Sequence, residues 1–158
     1  MSDLQQLYQQ VILDHARERH GEGLIDLTDA VMAGESFQVN PTCGDEVTLR
    51  VTLAEAPDGG SPTIASLGWE GVGCSISRAS LSVMNDLVVG HSVREVDEVA
   101  ETFRALMNNR GAPLDAEREE TLEDGAAFVG VSQFPARIKC ALLGWMALRD
   151  AIAKSLVS

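Results

Sequence analysis

The order of apolar and polar positions divides the chain into a helical start, an alternating middle and a helical second half. Leu4, Leu7, Tyr8, Val11, Ile12 and His15 recur at spacings of three and four, which predicts an amphipathic helix running out at Gly21 and Gly23. Residues 24–42 carry little periodicity beyond a short strand expected at Ser36–Asn40, just ahead of Pro41. Val47, Leu49, Val51 and Leu53 then alternate with Thr48, Arg50 and Thr52, the period of a strand with one buried face. Asp58-Gly59-Gly60 is a turn signal, and Thr63–Gly71 reads as the returning strand of an antiparallel pair.

Beyond Gly71-Val72-Gly73 the period changes. Ile76, Ala79, Val83, Met84 and Leu87 mark one helical face that ends at Gly90. A second helix is expected from Ser92, its cap, with Val93, Val96, Val99, Ala100, Phe103 and Met107 inward. Asp115–Asp124 is strongly acidic and reads as a short solvated helix or loop. A last helix begins near Pro135, a good first-turn residue, and buries Ile138, Leu142, Trp145, Leu148 and Ile152. No repeat, low-complexity tract or linker divides residues 1–158. The expected fold is therefore α+β: a single domain with a small antiparallel sheet packed against several helices.

Charge narrows the function classes. The 158 residues hold 12 Lys+Arg against 24 Asp+Glu, a formal net charge of −12, which argues against nucleic acid and anionic membrane surfaces as partners. No apolar run is long enough to span a bilayer, and Met1-Ser2-Asp3-Leu4 lacks the basic and apolar regions of a signal peptide, so a cytoplasmic location is expected.

Chemistry centres on Cys43, Cys74 and Cys140. Three widely spaced cysteines, an odd number, do not make a disulfide framework. Cys43 falls in a loop entering the alternating strand, Cys74 opens a helix, and Cys140 lies in the first turns of the last one. Helix N-termini favour thiolate over thiol. Inert buried thiols, a reactive thiol and a metal site all remain open, and spacing alone favours the first. Asp45, two residues from Cys43, could join the thiols as a fourth ligand for Zn²⁺ or an iron–sulfur cluster, with Arg137 and Lys139 offsetting the surplus negative charge. His15 continues an apolar stripe and reads as packed rather than ligating; His20 and His91 read as exposed. Ser75 has neither a flanking-glycine elbow nor a placed histidine and is set aside as a nucleophile.

Asn-Pro-Thr-Cys-Gly-Asp at 40–45, Gly-Val-Gly-Cys-Ser-Ile-Ser at 71–77 and Phe-Pro-Ala-Arg-Ile-Lys-Cys-Ala at 134–141 together resemble the IscU/SufU family of iron–sulfur cluster assembly proteins. Leu-Tyr-Gln-Gln-Val-Ile-Leu-Asp-His at 7–15 is similar to that family's opening helix. Scaffold members carry a His before the last Cys, where this chain has Lys139, and a Leu-Pro-Pro-Val-Lys segment of which only Pro135 of the proline pair is kept. The segment between Cys74 and Cys140 is also longer than in scaffolds, so the resemblance points to the SufU branch. His15-Ala16-Arg17-Glu18-Arg19-His20 departs from the family, which has an aromatic after the His and a Pro further on.

The resemblance implies a zinc-dependent sulfur acceptor working with a SufS-type cysteine desulfurase and with downstream iron–sulfur assembly proteins. It implies Cys43, Asp45, Cys74 and Cys140 as zinc ligands, Cys43 as the residue that carries persulfide sulfur in a sulfurtransferase step, and Arg137 as a basic residue near the site. Gly44 supplies backbone freedom beside Cys43. The alternative is a non-enzymatic scaffold that builds an iron–sulfur cluster on the same ligands.

Overall fold

In the computed structural model, residues 3–157 are described. The elements are α1 (Asp3–Glu18), β1 (Met32–Asn40), β2 (Asp45–Ala54), β3 (Thr63–Val72), α2 (Ser75–Val88), α3 (Val93–Met107), α4 (Ala116–Leu122), a 3-10 segment (Glu123–Gln133) and α5 (Pro135–Val157). The strands form one antiparallel sheet in the order β1-β2-β3, so the fold class read from the sequence holds. None of the helices among the described residues is long and apolar enough to cross a membrane.

Strand β2 follows its alternation: Val47, Leu49, Val51 and Leu53 are buried, and Thr48, Arg50 and Thr52 are partly covered. Strand β1 differs from expectation. It starts at Met32 rather than Ser36, because its covered face carries Gly34, Ser36 and Asn40 while Phe37 and Val39 point to solvent. Helix α5 explains this inversion: a Cβ at Gly34 would run into the Ala151 carbonyl oxygen, and Ser36 donates to Asp150 Oδ2 at 2.6 Å. Small and polar residues let the helix backbone close on the strand.

Helix α2 is buried nearly all round, and its serines are satisfied internally. Ser80 donates to the Ala141 carbonyl at 2.6 Å and receives Trp145 Nε1–H at 3.2 Å, tying α2 to α5. Trp145 stacks on Phe103 (centroids 5.2 Å), which meets Phe128 edge-on at 5.6 Å. That aromatic group joins α3, α5 and the 3-10 segment. Ser92 caps α3 with Glu95 in a reciprocal capping box. The acidic stretch forms α4 capped by Asp115, with Leu122 fully buried, so it is docked rather than merely solvated. On α1, Leu4 and Leu7 are more than half exposed; only the C-terminal end of its stripe packs.

That end is held by a polar network. His15 is buried, with Nδ1 2.7 Å from Ser82 Oγ and Nε2 2.9 Å from Asp124 Oδ2. Ser82 Oγ also accepts the His20 N–H at 2.9 Å, which suits its own proton going to His15 Nδ1 and His15 Nε2–H donating to Asp124. The packed reading of His15 therefore stands. His20 is more engaged than expected, with Nδ1 2.7 Å from Asp86 and Nε2 3.2 Å from Glu18. His91 is exposed, as read, and meets Glu95 at 3.2 Å.

The Asp86 hydrogen bond, with the charges of Asp86 and Glu18, raises the His20 imidazole above its ordinary 6.5 against a smaller opposing effect of burial. The stabilisation this supplies is complete below pH 6.5 and disappears as pH rises through the raised value. Denaturation midpoints measured across that window should fall with rising pH, and His20→Gln should flatten that part of the profile.

Candidate metal centre

Three chain segments converge at one end of the sheet. The β1–β2 register closes on the pair Asn40–Asp45, leaving residues 41–44 as the loop. Asn40 organises that loop: its carbonyl accepts Gly44 N–H at 2.8 Å and its Oδ1 accepts Thr42 N–H at 3.1 Å. Gly44 sits at φ +76°, in the left-handed region, with open space where a Cβ would be. Cys43 is thereby held at an exposed tip.

The second segment is the exit from β3. Cys74 is the N-cap of α2 and makes no side-chain cap hydrogen bond. Instead its N–H donates to Asp45 Oδ1 at 3.2 Å, and its Sγ lies 3.7 Å from Asp45 Oδ2. The carboxylate thus serves the helix N-terminus from another strand, where negative charge is favoured. Gly73 makes room for it, since a Cβ there would fall 2.6 Å from both Asp45 Oδ1 and Ser77 Oγ. Ser77 donates to the Cys74 carbonyl at 3.0 Å.

The third segment is α5, whose second turn carries Cys140. Its Sγ is 3.4 Å from Cys43 Sγ and the residue is 5% exposed. Ligand atoms of Cys43, Asp45 and Cys140 all lie within 4.8 Å of one another. Cys74 joins through Asp45. Unlike Cys140 it is exposed, so a helix start does not by itself bury a thiol.

Burial opposes charge on Asp45, yet donation from the Cys140 and Cys43 thiols, the Cys74 N–H and Ser77 outweighs it and holds the carboxyl below its usual range. Burial first, then Asp45, Cys43 and Cys74, pushes the Cys140 thiol far up. Three sulfurs competing for one carboxylate is an arrangement that a cation relieves. The Cys43–Cys140 separation of 3.4 Å is close to the edge of a tetrahedron with zinc–sulfur bonds, about 3.8 Å, and well beyond the roughly 2.05 Å of a disulfide. The donor set, thiolates with one carboxylate, fits a borderline-soft divalent ion.

Other residues fall elsewhere. The Arg137 guanidinium lies 4.6 Å from the centre of the Phe134 ring, and Lys139 is exposed. Among the described residues neither makes an ion pair with Asp45, whose donors are the Cys140 and Cys43 thiols, the Cys74 N–H and Ser77. Arg137 instead lines a groove of about 450 Å³ beside the centre, with Tyr8, Ile12, Ile76, Val129 and Phe134. Residue-by-residue reading missed Asn40, Gly73 and Ser77. Their signal was present in the motifs around Cys43 and Cys74, as a turn-forming Asn, a glycine before a helix start and a first-turn serine.

A model of the NifU-like N-terminal domain family matches residues 7–141. The chain is 36% identical over 155 residues to the iron–sulfur cluster assembly scaffold protein IscU of Streptococcus pyogenes serotype M1, covering 98% of this chain and 88% of that one. It is also 36% identical over 153 residues to the zinc-dependent sulfurtransferase SufU of Bacillus subtilis strain 168, covering 97% and 94%. A crystal structure of a SUF-system cluster assembly scaffold from Fervidobacterium islandicum AW-1 superposes with a TM-score of 0.69 at 30% identity, over 93% of this chain and 97% of that one. With the family match spanning most of its length, and the cysteines and Asp45 gathered at one end of its sheet, this chain belongs to the NifU-like N-terminal domain family, among the IscU/SufU iron–sulfur cluster assembly proteins.

Proposed function

We propose that the protein is a zinc-dependent sulfur acceptor for iron–sulfur cluster assembly, taking sulfur onto Cys43 from a SufS-type cysteine desulfurase. The observation that carries this reading is the placement of Cys43 at an exposed loop tip, 3.4 Å from Cys140 and beside a buried carboxylate. Cys43, Asp45, Cys74 and Cys140 would hold the ion. Zinc would supply a charge that keeps the thiols deprotonated and shields them.

In the transfer step the Cys43 thiolate attacks the outer sulfur of the donor's cysteine persulfide. The donor's S–S bond breaks, its cysteine leaves as a thiolate, and Cys43 becomes the persulfide. Gly44 gives the loop freedom to bring Cys43 forward, while Cys140 in α5 and Cys74 at the N-cap of α2 keep the rest of the site in place. Asp45 is the hardest donor of the set and the easiest for a soft-leaning ion to give up. The groove beside Arg137 offers an apolar wall that reaches Ser75, the residue after Cys74.

The scaffold alternative has support in the name of the Streptococcus pyogenes relative. Lys139, where the family's scaffold members carry a histidine, and the long segment between Cys74 and Cys140, which includes α4 and the 3-10 segment, favour transfer.

Purified protein should hold one Zn²⁺ per chain by elemental analysis, and Cys43→Ser, Cys74→Ser and Cys140→Ser should each lose it more readily to a chelator. A brown protein carrying iron and sulfide would favour the scaffold. Asp45→Ala should keep a native circular dichroism spectrum but transfer sulfur at least several-fold more slowly; normal transfer would remove any ligand-exchange role for Asp45. Incubation with desulfurase and cysteine, followed by mass spectrometry without reductant, should place the added sulfur on Cys43. Label found only on Cys74 or Cys140 would overturn the assignment.

A further inference from the structure

We propose that the side-chain amide of Asn40 becomes the hydrogen-bond donor to the Cys43 sulfur when that sulfur is an anion; with Cys43 as a thiol, Nδ2 meets no acceptor among the described residues, the sulfurs included. Asn40 is 6% exposed, and its Nδ2 is buried without a hydrogen-bond partner among the described residues. The amide cannot be flipped to remove the conflict, because Oδ1 is engaged by the Thr42 N–H at 3.1 Å. Nδ2 is therefore the free end.

Register says where that donor lies. Asn40 is paired directly with Asp45 across the hairpin, and directly paired residues project to the same face of a sheet. Both side chains are buried, so the amide shares the face on which Asp45 meets the thiols. Asp45 already gathers the Cys74 N–H, Ser77 and the thiols, and Asn40 is not among its donors. The cysteine sulfurs that meet Asp45 are further acceptors at this end of the sheet. Cys43 lies three residues beyond Asn40, on the loop that the Gly44–Asn40 hydrogen bond closes.

Buried donors are rarely left unpaired in native proteins, and hydrogen bonds to charged acceptors are stronger than neutral ones. A sulfur anion at Cys43, whether a metal-bound thiolate or the terminal sulfur of a persulfide, gives Nδ2 such an acceptor. The persulfide part rests on the function proposed above; the thiolate part does not.

The test uses Asn40→Asp, which keeps an acceptor for Thr42 but loses the donor, together with Asn40→Ala. In protein loaded with Co²⁺ in place of zinc, loss of an N–H···S bond makes the thiolate easier to oxidise, so both variants should move the thiolate-to-cobalt charge-transfer band to longer wavelength. Neither should shift the band further in a Cys43→Ser background. On persulfidated protein both should shorten the lifetime of the Cys43 persulfide several-fold, read by mass spectrometry. An unchanged band in both variants, or a shift that persists without Cys43, would overturn the assignment. If wild-type protein takes no sulfur on Cys43, the proposed function fails while the cobalt spectra still decide the role of Asn40.

Discussion

The end of the sheet that carries the cysteines is organised around one buried carboxylate. Asp45 opens β2 at 3% exposure, where an ion without partners would be driven to protonate. It stays below its ordinary range because the segments meeting there each bring it a donor: the Cys43 loop, the β3–α2 junction and α5. The surrounding residue choices follow. Gly73 has no side chain because one would occupy the carboxylate's place. Cys74, the N-cap of α2, makes no side-chain cap bond, and its own N–H is satisfied by Asp45 from another strand. Ser80 and Trp145 hold α2 against α5, which fixes where Cys140 reaches the cluster.

What could be read from the sequence was whatever obeyed a period. Strand β2, the return strand and the apolar faces of α2, α3 and α5 were legible because one side of each meets the core. β1 was legible only in its last residues, because its polarity is inverted: Gly34, Ser36 and Asn40 face inward, while Phe37 and Val39 face out. A helix backbone passing close to a strand selects small residues, and a hydrophobic pattern cannot announce that. The 3-10 segment has no 3.6-residue repeat to betray it, although Phe128 and Val131 are buried there. Ser77, Ser80 and Ser82 of α2 look solvent-facing in a linear pattern and are buried, Ser80 and Ser82 with partners from α5 and the segment after α1, and Ser77 with the Cys74 carbonyl at its own helix start.

The candidate site was legible in a different way. Spacing left the cysteines open between inert and ligating, and the motifs around them carried the reading. The structure adds the arrangement that spacing could not give, with Cys43, Asp45 and Cys140 mutually within 4.8 Å although 97 residues separate the two cysteines. It also shows that the donors on Asp45 do not come from the cations nearest Cys140 in sequence. Arg137 and Lys139 are close to Cys140 in sequence, but successive helix residues point in different directions, and Arg137 turns to Phe134 and the groove.

That donor set bears on how such a site can open. An ion pair between Asp45 and a mobile lysine or arginine would be rearranged whenever the charge on the sulfurs changed. Besides the Cys140 and Cys43 thiols, the donors found here belong to fixed structure: a backbone N–H at a helix start and a first-turn serine. Fixed dipoles stabilise the carboxylate with little reorganisation as the ligand set changes. Movement then falls on the part of the centre with the fewest ties, the loop from Pro41 to Gly44, whose left-handed glycine and exposed cysteine set it apart from Cys140 buried in α5. On the proposed reading, this inequality among the ligands lets one thiol leave to collect sulfur while the others keep the site assembled.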